Sequence, residues 1–96
     1  MKLFVIVRRD LTTSQSAVQA GHVVAEYLLH SRTKSWKNET LIYLGVKDLF
    51  HLEKLIHQFD LLSTPYTVFR EPDLDNEITA IATDNGNKYI ERLRLL

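Results

Sequence analysis

The chain has no cysteine, only two prolines and three glycines, and a single tryptophan in 96 residues. Without cysteine there can be no disulfide, no thiolate metal site and no thiol catalysis, which fits a reducing, cytoplasmic setting. Long apolar runs are also missing. No stretch approaches the roughly 20 apolar residues that span a bilayer, so no membrane partner is expected. The run Leu3–Val7, directly after Met1-Lys2, is too short and too β-branched for a signal peptide. Net charge is absent as well, because twelve Lys and Arg balance twelve Asp and Glu. With no global field to draw in nucleic acid, any RNA binding must depend on a local patch. Neither an internal repeat nor a low-complexity segment occurs, and the length suits one domain over residues 1–96.

What is present is hydrophobic periodicity. Strands are expected at Leu3–Arg8, Leu41–Val46, Tyr66–Arg70 and Ile78–Thr83. The first two are uninterrupted apolar runs, as in a sheet covered on both faces. Between them, Thr12, Thr13 and Ser14 offer N-caps for a helix ending near His30. Ala17, Ala20, Gly21, Val24 and Leu28 form one apolar face, whose small residues suit close approach to another backbone. Asp48 caps a second helix with Leu49, Leu52, Leu55, Ile56 and Phe59 inward. A short third helix is expected over Lys88–Leu95. The order β-α-β-α-β-β-α reads as a three-layer α/β/α fold around a four-stranded mixed sheet, its first two strands parallel.

Three polar stretches carry candidate chemistry. On the first helix, Gln15, Gln19, His22 and Glu26 make a second stripe. It is either a solvated face or a site, with His22 (reference pKa about 6.5) as acid–base group, Gln19 orienting a substrate and Glu26 holding the ring. In the connection Ser31–Glu39, Arg32, Lys34 and Lys37 surround Trp36. Either Trp36 stacks on a nucleotide while the cations meet phosphates, or it folds onto the core. Glu71, Asp73, Asp75 and Glu77 alternate, and if extended they share a face fit for a hard cation. Pro72 and Asp75-Asn76 favour a turn that scatters them, and no metal or other cofactor is expected.

The phrase Val5-Ile6-Val7-Arg8, with Asp10-Leu11, followed by Ala17, Gln19 and His22, resembles the peptidyl-tRNA hydrolase II family of archaeal and eukaryotic type. There a VVRxDL-like strand end leads into a helix carrying AAQxxHA. Trp36 before the second strand, Phe69-Arg70-Glu71, Thr79-Ala80-Ile81-Ala82 and the closing Arg92-Leu93-Arg94-Leu95-Leu96 extend the resemblance along nearly the whole chain. It implies the strand order 2-1-4-3 with only the fourth strand antiparallel. It also implies hydrolysis of the ester between a peptide and the 3′ end of tRNA.

On that basis His22, Asp10 and Glu71 are the catalytic candidates: His22 as acid–base group beside the first strand's C-terminal end, Asp10 as orienting group, and Glu71 in place of a family aspartate. Gln19 and Thr79 would line the pocket, with Arg8, Arg9 and Lys34 contacting substrate phosphates. The chain departs from the family in two places. The Gly-Lys pair of the loop before the helix has no counterpart, and Glu71-Pro72-Asp73-Leu74-Asp75-Asn76 replaces an Asp-Ala-Gly-Arg-Thr-Gln segment. Two further classes therefore stand beside a divergent hydrolase: a non-catalytic RNA- or protein-binding module, and a domain that forms a homodimer through a sheet edge.

Overall fold

Leu3, Val5 and Val7 point to one side of the first strand and Phe4 and Ile6 to the other, and both sets find apolar partners. A computed structural model describes residues 1–32 and 34–96; position 33, in the expected Ser31–Glu39 connection, lies outside the described residues. The elements are β1 (Lys2–Arg8), α1 (Thr13–His30), β2 (Thr40–Val46), α2 (Leu49–Leu61), β3 (Thr67–Glu71), β4 (Glu77–Thr83) and β5 (Arg94–Leu95). They form one mixed sheet in the order β3-β4-β1-β2-β5. β1 and β2 are parallel, β4 is antiparallel to both β1 and β3, and β5 is antiparallel to β2. α1 covers one face and α2 the other, giving the expected three layers. Among the described residues, no helix is long and apolar enough to cross a membrane.

The sheet differs from expectation at one edge. The order 2-1-4-3 is contained in it, but a fifth strand extends it beyond β2, so the fourth is not the only antiparallel strand. The helix expected over Lys88–Leu95 is replaced by a 3-10 turn at Ile90–Arg92 followed by β5. Asn87 Oδ1 accepts from the N–H groups of Tyr89 and Ile90 and starts the turn, but Leu93 is already extended. A helix that short is marginal by itself. The open edge of β2 offers backbone partners instead, including the Tyr43 carbonyl, which accepts from Leu96 N–H at 3.0 Å.

α1 also presents a different face. Ser16, Gln19, Ala20, Val23 and Tyr27 are buried. That stripe lies one residue, or roughly 100°, around from the expected one. Tyr27 anchors this rotation: its ring is 1% exposed, and its hydroxyl donates to Asp84 Oδ2 at 2.5 Å while accepting from Trp36 N–H at 3.1 Å. Burial, and then Asp84, raise the Tyr27 pKa. Trp36 takes the core role rather than the nucleotide-stacking one. It is buried edge-on to Tyr27, and its indole N–H donates to the Thr40 carbonyl at 2.9 Å. Thr12 caps α1 in a reciprocal box with Gln15.

Gly21 is consequently exposed, and a Cβ there would meet nothing within 4 Å, so no backbone approaches it closely. Gly21→Ala should stabilise the fold by about 0.5–1 kcal/mol through helix propensity, read as a higher urea midpoint. A lower midpoint would show that α1 has some other requirement at this position.

Candidate functional site

The site begins with an irregularity in β4. Phe69 pairs with Ala80 and Arg70 with Ile78, which leaves Thr79 as an extra residue. Strict alternation would put Ile78 on the same face as Ala80. The bulge resets the parity: Ala80 and Ala82 pack beneath α1, whereas Ile78 joins the core beneath α2. Thr79 is thereby turned toward α1, where it is fully buried and its hydroxyl donates to Gln19 Oε1 at 2.5 Å.

Gln19 completes a three-residue chain. Its Nε2 donates to Glu71 Oε1 at 2.9 Å. A carboxylate only accepts, so Nε2 must face Glu71 and Oε1 must face Thr79, which makes the hydroxyl a donor. Among the described residues, Glu71 Oε2 is held only by a long contact from Asp73 N–H at 3.5 Å. Gln19 and Glu71 line a cavity of about 360 Å³, bounded by the first turns of α1 and the Glu71–Leu74 segment, with Thr79 buried behind them. Gln19 is therefore not a loose substrate handle. It is 4% exposed and its amide is fixed in orientation.

His22 lies one turn further along α1. Its ring is exposed and stacks flat on Phe69, with centroids 4.3 Å apart and planes 3° from parallel. Neither ring nitrogen has a hydrogen-bond partner among the described residues. Glu26 does not hold this ring; its carboxylate lies 3.8 Å from His30 Nε2 instead. Phe69 belongs to a cross-strand row that continues through Ala80, Val7 and Gly45 to Arg94. His22 thus stands level with the end of β1, but two strands, or about 10 Å, to the side. Phe69 was the residue missed by sequence reasoning. Positions 69 and 71 share a strand face, just as 22 and 19 share a helix face, and matching the two pairs would have found it.

The charged candidates divide into separate groups. Arg8 is 7% exposed, with its guanidinium forked onto Asp10 (Nε–Oδ1 2.9 Å, Nη2–Oδ2 2.8 Å). Its Nη1 reaches Glu77 Oε1 at 2.7 Å and the Ile78 carbonyl at 3.3 Å. These bonds, Asp10's first, hold the Arg8 pKa well above its usual value, and Arg8 in turn holds the Asp10 carboxyl below the usual carboxylate range. Arg8 and Asp10 are therefore committed to each other, and Glu77 is the partner the sequence did not suggest. Arg9 is exposed at the opposite edge of the sheet, with Nη2 donating to the Leu95 carbonyl at 2.5 Å. Lys34 caps the far end of α1 through the Leu28 carbonyl at 2.9 Å.

The acidic stretch is a turn. A 3-10 turn runs over Pro72–Leu74, and Asp75 and Asn76 follow in the left-handed region. Glu71 reaches Gln19 while Glu77 reaches Arg8, so the carboxylates diverge. No group of three or more His, Asp or Glu converges on a metal-sized space among the described residues. Compared with known proteins, the chain matches no family model and no curated protein.

Two outcomes check this geometry. Gln19→Ala should destabilise the fold by about 2–3 kcal/mol in urea unfolding, because it removes two bonds and strands the Thr79 hydroxyl. Between the depressed Asp10 pKa and the ordinary value of about 3.9, the folded state binds fewer protons than the unfolded state. Asp10 should therefore stabilise the fold fully above about pH 4, and that contribution should vanish as pH falls through the depressed value. Asp10→Asn should flatten this acid limb in pH-dependent melts.

Proposed function

We propose that the chain is a peptidyl-tRNA hydrolase II-like protein that cleaves the ester between a peptide and the 3′ end of tRNA. The observation that carries this reading is the exposed imidazole of His22, whose ring nitrogens bond to none of the described residues, one turn along α1 from the fixed Thr79–Gln19–Glu71 chain. In the reaction, water adds to the ester carbonyl as His22 accepts its proton. The bond from the carbonyl carbon to the 3′ oxygen then breaks, and the proton passes to that oxygen. The products are a peptide carboxylic acid, which loses its proton to solvent, and a free 3′ hydroxyl. Stacking on Phe69 keeps the edge of the imidazole toward solvent, where water and ester can reach it. The loosely held Glu71 Oε2 is available to orient the water. Turnover of a peptidyl-tRNA should fall about a hundredfold or more in His22→Ala, the usual contribution of an acid–base group.

One observation favours a second reading, a non-catalytic RNA-binding module. The nearest buried cation, Arg8, is already matched by Asp10 and Glu77. Arg8 is therefore not free to meet a developing oxyanion, whose stabilisation is often the largest catalytic contribution. Tight tRNA binding by the wild-type protein with no turnover would select this reading. Unchanged turnover in His22→Ala would remove His22 from the chemistry.

A further inference from the structure

The largest unexplained feature lies at the other end of the cross-strand row. Arg9, Lys47, Lys54, Arg92 and Arg94 surround two adjoining cavities of about 330 and 410 Å³. The cavities share Gly45, Lys47 and Arg94, and Asp and Glu are absent from their lining. Five of the twelve Lys and Arg of a neutral chain are thus gathered on one rim. None of the five forms an ion pair among the described residues, whose ion pairs lie elsewhere. Asp48 lies beside Lys47 as a partial counter-ion, but like charges gathered on a rim whose lining holds no carboxylate still repel one another, and a partner that supplies anions would relieve them.

The rim is built by elements the sequence did not reveal. β5 sets Arg94 directly across from Gly45. The Arg9 side chain crosses over the same glycine, where any Cβ would overlap it. Lys47 follows the end of β2, Lys54 comes from α2, and Arg92 from the 3-10 turn. Tyr89 adds a half-buried aromatic wall. His51 is already held by Asp48 at 2.6 Å and contributes no free donor of the same kind.

We propose that this rim binds the phosphodiester backbone of an RNA strand, with Tyr89 as a surface for one base. The choice of RNA rests on the tRNA reading above, whereas the site rests on the charge geometry. Four strand spacings separate Phe69, under His22, from Arg94, about 19 Å in all. That distance spans five or six stacked nucleotides at about 3.4 Å each. The row between them is buried beneath α1 at Ala80 and Val7, so a strand holding its phosphates on the rim reaches the imidazole only around the carboxyl edge of the sheet, over at least that distance.

The test uses fluorescein-labelled deacylated tRNA and oligouridylates of three, six and twelve nucleotides, titrated at several salt concentrations. Wild-type affinity should fall with salt at a log–log slope set by about four or five phosphates, and should rise with length up to about six nucleotides. Lys47→Glu with Arg94→Glu should weaken tRNA binding about tenfold or more and flatten the slope by about 1.5. Lys34→Glu with Lys37→Glu, at the far end of α1, should leave binding within about threefold. The rim reversal should leave the thermal midpoint unchanged or higher, since it relieves repulsion; if that variant unfolds, Lys54→Gln with Arg92→Gln gives the same reading. Unchanged binding in the rim variants overturns the proposal. So does binding to none of these RNAs, greater loss in the Lys34 and Lys37 variant, or affinity independent of length, which would mean a small-anion site. Deacylated tRNA has no ester, so failure of hydrolysis leaves this measurement intact, and failure of the rim leaves turnover measurable.

Discussion

One extra residue in β4 governs which side chains can meet above and below the sheet. Without the bulge at Thr79, the hydroxyl would face α2 and Ile78 would face α1. The α2 core would lose a large apolar side chain, and Gln19 would be buried opposite no donor for its carbonyl. With the bulge, both layers are satisfied at once: Ile78 packs with Leu52, Leu55 and Phe59, and Thr79 meets Gln19. Bulges beside functional sites commonly re-aim a side chain in this way. Here the re-aimed group fixes the amide that fixes Glu71, so the geometry of the cavity wall begins in a backbone irregularity.

The neutral charge total hides a strong segregation. At the β3–β4 end of the sheet, Asp10, Glu71, Asp73 and Glu77 outnumber the cations Arg8 and Arg70. At the β2–β5 end every charged residue of the lining is basic. Both ends lie at the carboxyl edge of the parallel strands, where ligands collect in open α/β sheets. A chain with no net field can therefore still present a steep local one.

The sequence was most informative where burial is symmetrical. Leu3–Val7 and Leu41–Val46 had to be covered on both faces, and they are. α1 was harder, because Ala17, Ala20, Gly21, Val24 and Leu28 and the true stripe through Ala20, Val23 and Tyr27 differ by one residue. The deciding partners, Asp84 for Tyr27 and Thr79 for Gln19, are more than fifty positions away. β5 was not legible because its pairing depends on which edge of the folded sheet is left open. In the candidate site, Gln19, Glu71 and Thr79 were found by motif and do converge. Glu77 was not, since a second acceptor has no local pattern, and Phe69 shows only when its pairing with Glu71 on a strand face is matched to that of His22 with Gln19 on the helix.

The single tryptophan has a spectroscopic consequence. Trp36 sits wholly within the layer beneath α1, edge-on to Tyr27, while the layer beneath α2 contains no indole. Its emission is therefore a private reporter of one half of the molecule. Far-ultraviolet circular dichroism, by contrast, sums the signals of both helices. If the sheet couples its two faces into a single cooperative unit, the two signals must trace the same unfolding curve. Any separation between them would identify which layer lets go first, and the natural sequence carries that label without modification.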